Sequence, residues 1–278
     1  MPKQSLVLLI LLSFPFFCLG QQVQPDTAVK TTAAKSLFIN TGLIYLSNLT
    51  YAGRRDPTSV PVLLPTVTLI SAKGFFLAGI GYFDLNGSKS NTEGLSITPG
   101  YVFSFDKKKE YGGAISATKY FITANSPIIL SSFDATIDGQ LHFNPDNIIK
   151  LTVAASYRIN KQGPSDIVND AELSKEITLV KTGKDNKESL KIIPDLTLYA
   201  GTQSFTQSDT SAVLGGLISN TTQQQVRKYN LLALSGSMQL MYTIKTWQLS
   251  FTPYLIQPYN TGQNGLYFLF TTGVSVTF

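Results

Sequence analysis

From Ser36 onward, apolar and polar residues alternate with a period of two in segments of about ten to fourteen residues, separated by turn chemistry. The segments lie near 37–49, 60–72, 75–85, 94–105, 111–122, 131–143, 148–160, 172–182, 190–205, 228–244, 247–259 and 266–278. A strand shows successive side chains to opposite faces, so each segment predicts a β-strand with one oily and one polar side. The connections alternate in length. Short ones fall at Lys73-Gly74, Asp106 to Glu110, Asn144 to Asn147 and Lys245-Thr246; longer ones cover 50–59, 86–93, 123–130, 161–171 and 206–227. An even set of antiparallel strands with short turns at one end and long loops at the other predicts a closed up-and-down barrel. Twelve strands are expected, within a range of ten to fourteen.

Hairpin parity tests this reading, because directly opposed residues share a face. Around Lys245-Thr246, Ile244 opposes Trp247, Tyr242 opposes Leu249 and Leu240 opposes Phe251, all apolar. Around Asp106–Glu110, Phe103 aligns with Gly113, Tyr101 with Ile115, and Thr98 with Thr118. Around Asn144–Asn147, opposed numbers summing to 292 match oily with oily and polar with polar, setting Leu141 against Leu151. Two segments resist. The face of 172–182 is mostly Lys and Glu, and dropping it leaves ten strands. In 75–85, the turn at Lys73-Gly74 would point Phe76, Ile80 and Tyr82 outward, yet Phe75, Leu77 and Phe83 are equally oily.

The last segment is the clearest. Leu266, Phe268, Phe270, Thr272, Val274, Val276 and Phe278 point one way, and Tyr267, Leu269, Thr271, Gly273, Ser275 and Thr277 the other. With its terminal Phe278, this strand resembles the last strand of outer-membrane β-barrel proteins of Gram-negative bacteria. The resemblance implies that Phe270, Val274, Val276 and Phe278 form a signal read by the barrel-insertion machinery. The front of the chain agrees. Lys3, the apolar run Leu6 to Phe17 and the Cys18-Leu19-Gly20 site read as a signal peptide over 1–20. Residues 21–35 read as a flexible periplasmic segment, and 36–278 as an all-β, closed antiparallel transmembrane barrel. Both termini are then expected in the periplasm.

Composition sharpens this picture. Only 14% of residues are charged, against roughly 25% in an ordinary soluble chain, so part of the surface is expected to face lipid. The strands are too long for an ordinary sandwich and match the roughly ten residues that cross a bilayer at a tilt. Phe105, Tyr111, Tyr242, Trp247 and Tyr259 lie near strand ends, where aromatic rings favour the headgroup level. Cleavage of the signal leaves 21 basic against 17 acidic residues, a net +4 scattered along the chain with no stripe suited to nucleic acid.

The candidate chemistry is sparse. His142 shares the polar face of 131–143 with Asp134 and Asp138, and the next strand offers Lys150 and Arg158. In the 292 register, Arg158 opposes Asp134 and Lys150 opposes His142. The cluster is either a constriction that sorts solutes by charge or a salt-bridge brace of the wall. One histidine, with no cysteine after cleavage, argues against zinc, and no serine stands beside His142 in a catalytic triad. Asp166, Asp170 and Glu172 fall in the predicted loop 161–171 or at its edge and read as solvated loop charge. The long loop 206–227 is either a plug or partner site at the mouth, or a simple extension of its flanking strands. The expected function is a narrow channel for small polar solutes. The alternatives are an adaptor barrel with a filled lumen that binds a protein partner, and a membrane enzyme. No cofactor or metal is expected.

Overall fold

A computed structural model describes residues 37–55, 60–86, 92–123, 126–182, 188–202, 204–210, 221–259 and 265–278. The expected signal peptide and N-terminal segment lie outside them. Twelve strands build the barrel. They are β1 (Leu37–Leu46), β2 (Val62–Ser71), β3 (Phe75–Asp84), β4 (Thr92–Ser104), β5 (Tyr111–Ile122), β6 (Phe133–Phe143), β7 (Lys150–Asn160), β8 (Asp166–Ser174 continued by Ile177–Thr182), β9 (Glu188–Gly201), β10 (Asn230–Ile244), β11 (Trp247–Pro258) and β12 (Tyr267–Thr277). Each strand pairs antiparallel with its sequence neighbours, and β1 closes the ring on β12 through Asn40↔Thr277 to Leu46↔Thr271. Closure leaves no open edge, so the wall's backbone groups pair within the protein.

Outward positions carry the apolar set, among them Val67, Leu77, Ile97, Ile115, Ile137, Leu196, Leu240, Leu249 and Phe268, all exposed. Inward positions carry Ser, Thr, Asn and acids. The last strand follows the expected faces, with Tyr267 and Leu269 buried inside and Phe268 and Phe278 exposed outside.

The segment 172–182 is a true strand that starts earlier than its sequence suggests. β8 begins at Asp166, pauses at Lys175-Glu176 and pairs along its length with β9, from Val168↔Gly201 to Thr182↔Glu188. The predicted loop 161–171 shrinks to 161–165. Asp166, Asp170 and Glu172 therefore belong to the wall and not to a solvated loop.

β3 corrects the parity expectation. Ile70 opposes Phe76, so three residues, Ala72 to Gly74, make the turn in place of two. Gly74 sits at φ +95 and a side chain there would meet the Val102 carbonyl oxygen at 2.2 Å. A glycine at the left-handed position lets a third residue enter the loop, and the extra residue exchanges the faces. Tyr82 points inward, 1% exposed, and its hydroxyl meets Ser96 Oγ at 3.0 Å.

The β6–β7 register also differs from the expected sum of 292. Phe143 opposes Leu151 and Thr136 opposes Arg158. One turn of 3-10 helix at Pro145–Asn147, with Asp146 and Asn147 at positive φ, lengthens the connection and draws Ile148 and Ile149 out of the ladder. A slip of two keeps the side chains from Ala135 to Phe143 on their expected faces while changing every partner.

Candidate functional site: the barrel interior

The interior divides by height. At the long-loop end, the connection after β1 turns inward, and its short hairpin pairs Thr50↔Arg55 and Tyr51↔Arg54. The tip crosses to the far wall. The Arg158 guanidinium of β7 lies 3.1 Å from the centre of the Tyr51 ring. Tyr51 also meets Phe133 of β6 edge-on at 5.0 Å. The Gly53 carbonyl accepts a 3.0 Å hydrogen bond from the Tyr267 hydroxyl of β12. Gly53 stands at φ +79, and a side chain there would meet Ala233 Cβ of β10 at 2.1 Å. Only glycine permits both that backbone and that approach. Around the tip Leu46, Leu49, Val60, Val62, Leu64, Ile128, Leu130, Leu232, Ile256 and Leu269 form one buried apolar cluster. This is the apolar core among the described residues, and it lies at the long-loop end of the barrel.

Below it the wall is polar. Thr98 and Thr118 hydroxyls meet at 2.9 Å across β4–β5. Asn40 donates to Thr277 Oγ1 at 2.9 Å across the closing seam. On β6–β9 the inward rungs carry charge. One rung runs His142–Thr152–Glu172–Thr197, and a neighbouring one Lys150–Ser174–Asp195–Ser237. Asp138 accepts from the Ser156 hydroxyl and from Thr136 Oγ1 at 2.9 Å. Asp195 accepts from Ser237 and from Thr197 Oγ1 at 3.2 Å. Lys191 binds Glu176 at 2.9 Å, in the pause of β8.

Asp138, His142, Lys150 and Arg158 therefore share the inner wall, but their expected pairings do not form. Arg158 stands opposite Thr136 on one side and Asp166 on the other, and His142 stands opposite Thr152. Asp134 leaves the cluster altogether. A bulge between Phe133 and Ala135 interrupts the alternation, and Asp134 meets Lys119 on the outer wall at 2.6 Å. An extra residue in a strand re-aims the side chain it carries. Period-two counting along β6 assumes that no such residue exists.

Tyr51, Asp170, Glu172, Asp195 and Thr152 are the interior residues that sequence reading missed. A usable signal was present for three of them. Asp166, Val168, Asp170, Glu172 and Ser174 recur at every second position, which is strand spacing. Leu49, Tyr51 and Val60 are likewise oilier than an outer loop requires.

Outside, the short-turn end carries aromatic contacts. Phe75 and Tyr101 lie 4.7 Å apart, Phe103 and Phe105 5.2 Å, and Tyr111 and Phe143 5.9 Å between ring centres. Tyr242, Trp247 and Phe278 are exposed towards the same end, and Tyr259 is exposed just beyond β11 at the other. Phe270 lies midway up the outer wall with Tyr45 and Phe251, each at 5.8 Å. Val274 and Val276 oppose Leu43 and Thr41 of β1. Within the long connection after β9, Ser204–Thr210 pairs with Thr221–Arg227 as a separate two-stranded ribbon. The apolar stretch at its centre lies outside the described residues.

No protein-family model matches the chain, and no curated protein matches it in sequence. Solved structures do resemble it in fold. The COG4313 outer membrane channel from Pseudomonas putida F1 is similar with a TM-score of 0.51 and 12% identity, over 91% of this chain and 99% of that one. A KdgM porin is similar with a TM-score of 0.50 and 9% identity, over 87% of this chain and 99% of that one. The chain has the closed antiparallel barrel fold seen in these porins.

Proposed function

We propose that this protein is an outer-membrane channel for small polar solutes, with the inward-folded segment 47–55 as its constriction. One observation carries the reading. Beneath the apolar cluster the inward positions of the closed wall are polar, among them Asn40, Thr98, Thr118, Gln140, Thr197 and Ser250. A polar group taken from water without a partner costs about 1–3 kcal/mol, so such a lining does not suit a dry core and suits a water-filled path along the barrel.

The rest of the assignment follows from this. Outer-membrane lipid covers the exposed apolar wall, residues 1–20 direct export, and the last strand, with Phe270, Val274, Val276 and Phe278, engages the insertion machinery. The cluster of Asp138, His142, Lys150 and Arg158 lines the passage. The full-length mature protein, refolded in detergent and added to planar bilayers, is expected to give discrete conductance steps. Absence of current from both the mature chain and a variant lacking residues 50–59 overturns the reading.

A further inference from the structure

We infer that the outer wall carries a lipid site, a furrow across β4–β7 that seats an acyl chain of a phosphorylated, multiply acylated glycolipid, with Lys119 and Lys161 on its phosphate. This rests on the outer-membrane placement above and not on conduction. The furrow comes from small residues set among large ones. Ala117 and Ala135 carry only a methyl group, while Ile97, Phe121, Ile137 and Ile159 stand around them and leave an open volume of about 410 Å³. The register places them so. Ala117 opposes Ile137, and Ala135 lies between Lys119 of β5 and Ile159 of β7. The volume falls in the range of small-molecule sites, and hydrocarbon walls suit a hydrocarbon chain.

Charge gathers at the long-loop side of this furrow. Lys119 lines it and binds Asp134 at 2.6 Å, with both side chains nearly half exposed. Lys161, directly after β7, donates to the Ile122 carbonyl at the upper end of β5, at 2.9 Å. A bond to a neutral oxygen leaves the ammonium charge uncancelled. Two cations against one acid make the patch net positive. Each ammonium carries three donors, so both keep N–H groups to offer after their bonds within the protein. Lysine binds phosphate as such a point charge.

The two features belong to one ligand. Acyl chains alone would cover any greasy wall, and an ion pair alone is costly against bare hydrocarbon. A concavity with cations directly above it matches an amphiphile whose phosphate sits over its chains. The long-loop end faces outward in barrels of this class. There the outer leaflet is built of phosphorylated glycolipid, which commits the site to that lipid and not to a glycerophospholipid.

Native mass spectrometry of the mature protein in mild detergent tests this, with bis-phosphorylated lipid A, the same lipid stripped of phosphate, and phosphatidylglycerol as probes. Wild type is expected to keep one phosphorylated lipid A. Lys119→Gln/Lys161→Gln and the furrow-filling Ala117→Phe are each expected to weaken retention by about tenfold or more, with heat-modifiable mobility and conductance unchanged. No adduct on wild type overturns the inference. So does equal retention of the stripped lipid or of phosphatidylglycerol, or retention by either folded variant equal to wild type. Current in planar bilayers without an adduct sinks this site and leaves the channel, and an adduct without current does the reverse. A mature chain that stays soluble without detergent removes the membrane placement and this site together.

Discussion

At the long-loop end the inward positions of β1, β2, β11 and β12 carry Leu46, Leu64, Ile256 and Leu269. Lower on the same strands they carry Asn40, Thr68, Ser250 and Ser275. The wall is continuous and its alternation unbroken, yet the upper part is apolar and the lower part polar. The difference shows that the mouth is prepared for its loop before the loop arrives. Four strands present hydrocarbon where Leu49 and Tyr51 dock, and polar side chains below. Burial of such a cluster contributes about 25 cal/mol per Å² of apolar area removed from water, so the loop is held by the wall and not by its own short hairpin.

The comparison breaks most visibly on removal of its upper half. Deletion of residues 50–59 is expected to raise single-channel conductance severalfold in planar bilayers, because the polar half alone then limits flow. Unchanged conductance would place the constriction elsewhere. Next in size is Phe133→Ala. Phe133 is buried against Tyr51, Tyr120 and Arg158, and its loss is expected to cost about 3 kcal/mol, read as a lower denaturant midpoint in micelles.

A smaller effect is expected at the loop tip. Gly53→Val sets a side chain against Ala233 at a strained backbone, which costs about 1–3 kcal/mol of docking. More frequent openings should report it, with partial reversal on adding Ala233→Gly. In the polar half, Thr98→Val removes the 2.9 Å contact with Thr118 at a cost of about 1 kcal/mol, with conductance unchanged.

The smallest effect belongs to a turn outside the comparison. Backbone N–H groups of Tyr111 and Glu110 donate to the Asp106 carboxylate at 2.8 and 3.3 Å, which holds its pKa below the ordinary carboxylate value. Stability from this turn is therefore present above the unfolded value and lost as pH falls through the lower folded one. Asp106→Asn should lower stability slightly at neutral pH, where the carboxylate's contribution is fully present, and remove the acid-side slope in heat-modifiable gel mobility.

Strand number, closure and most faces were legible in the sequence, since outward apolar and inward polar residues alternate and leave a period-two record. The hairpin at Lys245-Thr246 forms as counted, with Ile244 opposite Trp247. What escaped were local insertions that alternation does not mark. A third turn residue before Phe75 exchanged the faces of β3, a helical turn at Pro145 moved the β7 register, and a bulge turned Asp134 outward. The height of each residue escaped as well. Alternation tells inside from outside, and nothing in it tells the apolar mouth from the polar interior.

The outward pair of Lys119 and Asp134 has a consequence for where the molecule floats. Two exposed charges on a greasy wall belong at the waterline and not in hydrocarbon. Lys119 stands eight residues along β5 from Tyr111, at about 3.4 Å per residue. With a strand tilt near 40° the rise is roughly 21 Å, against an apolar band of about 25 Å in such barrels. In the outer-membrane assignment proposed above, the ion pair and the ring of Tyr111 serve as two draught marks for how deep the hull rides in a bilayer.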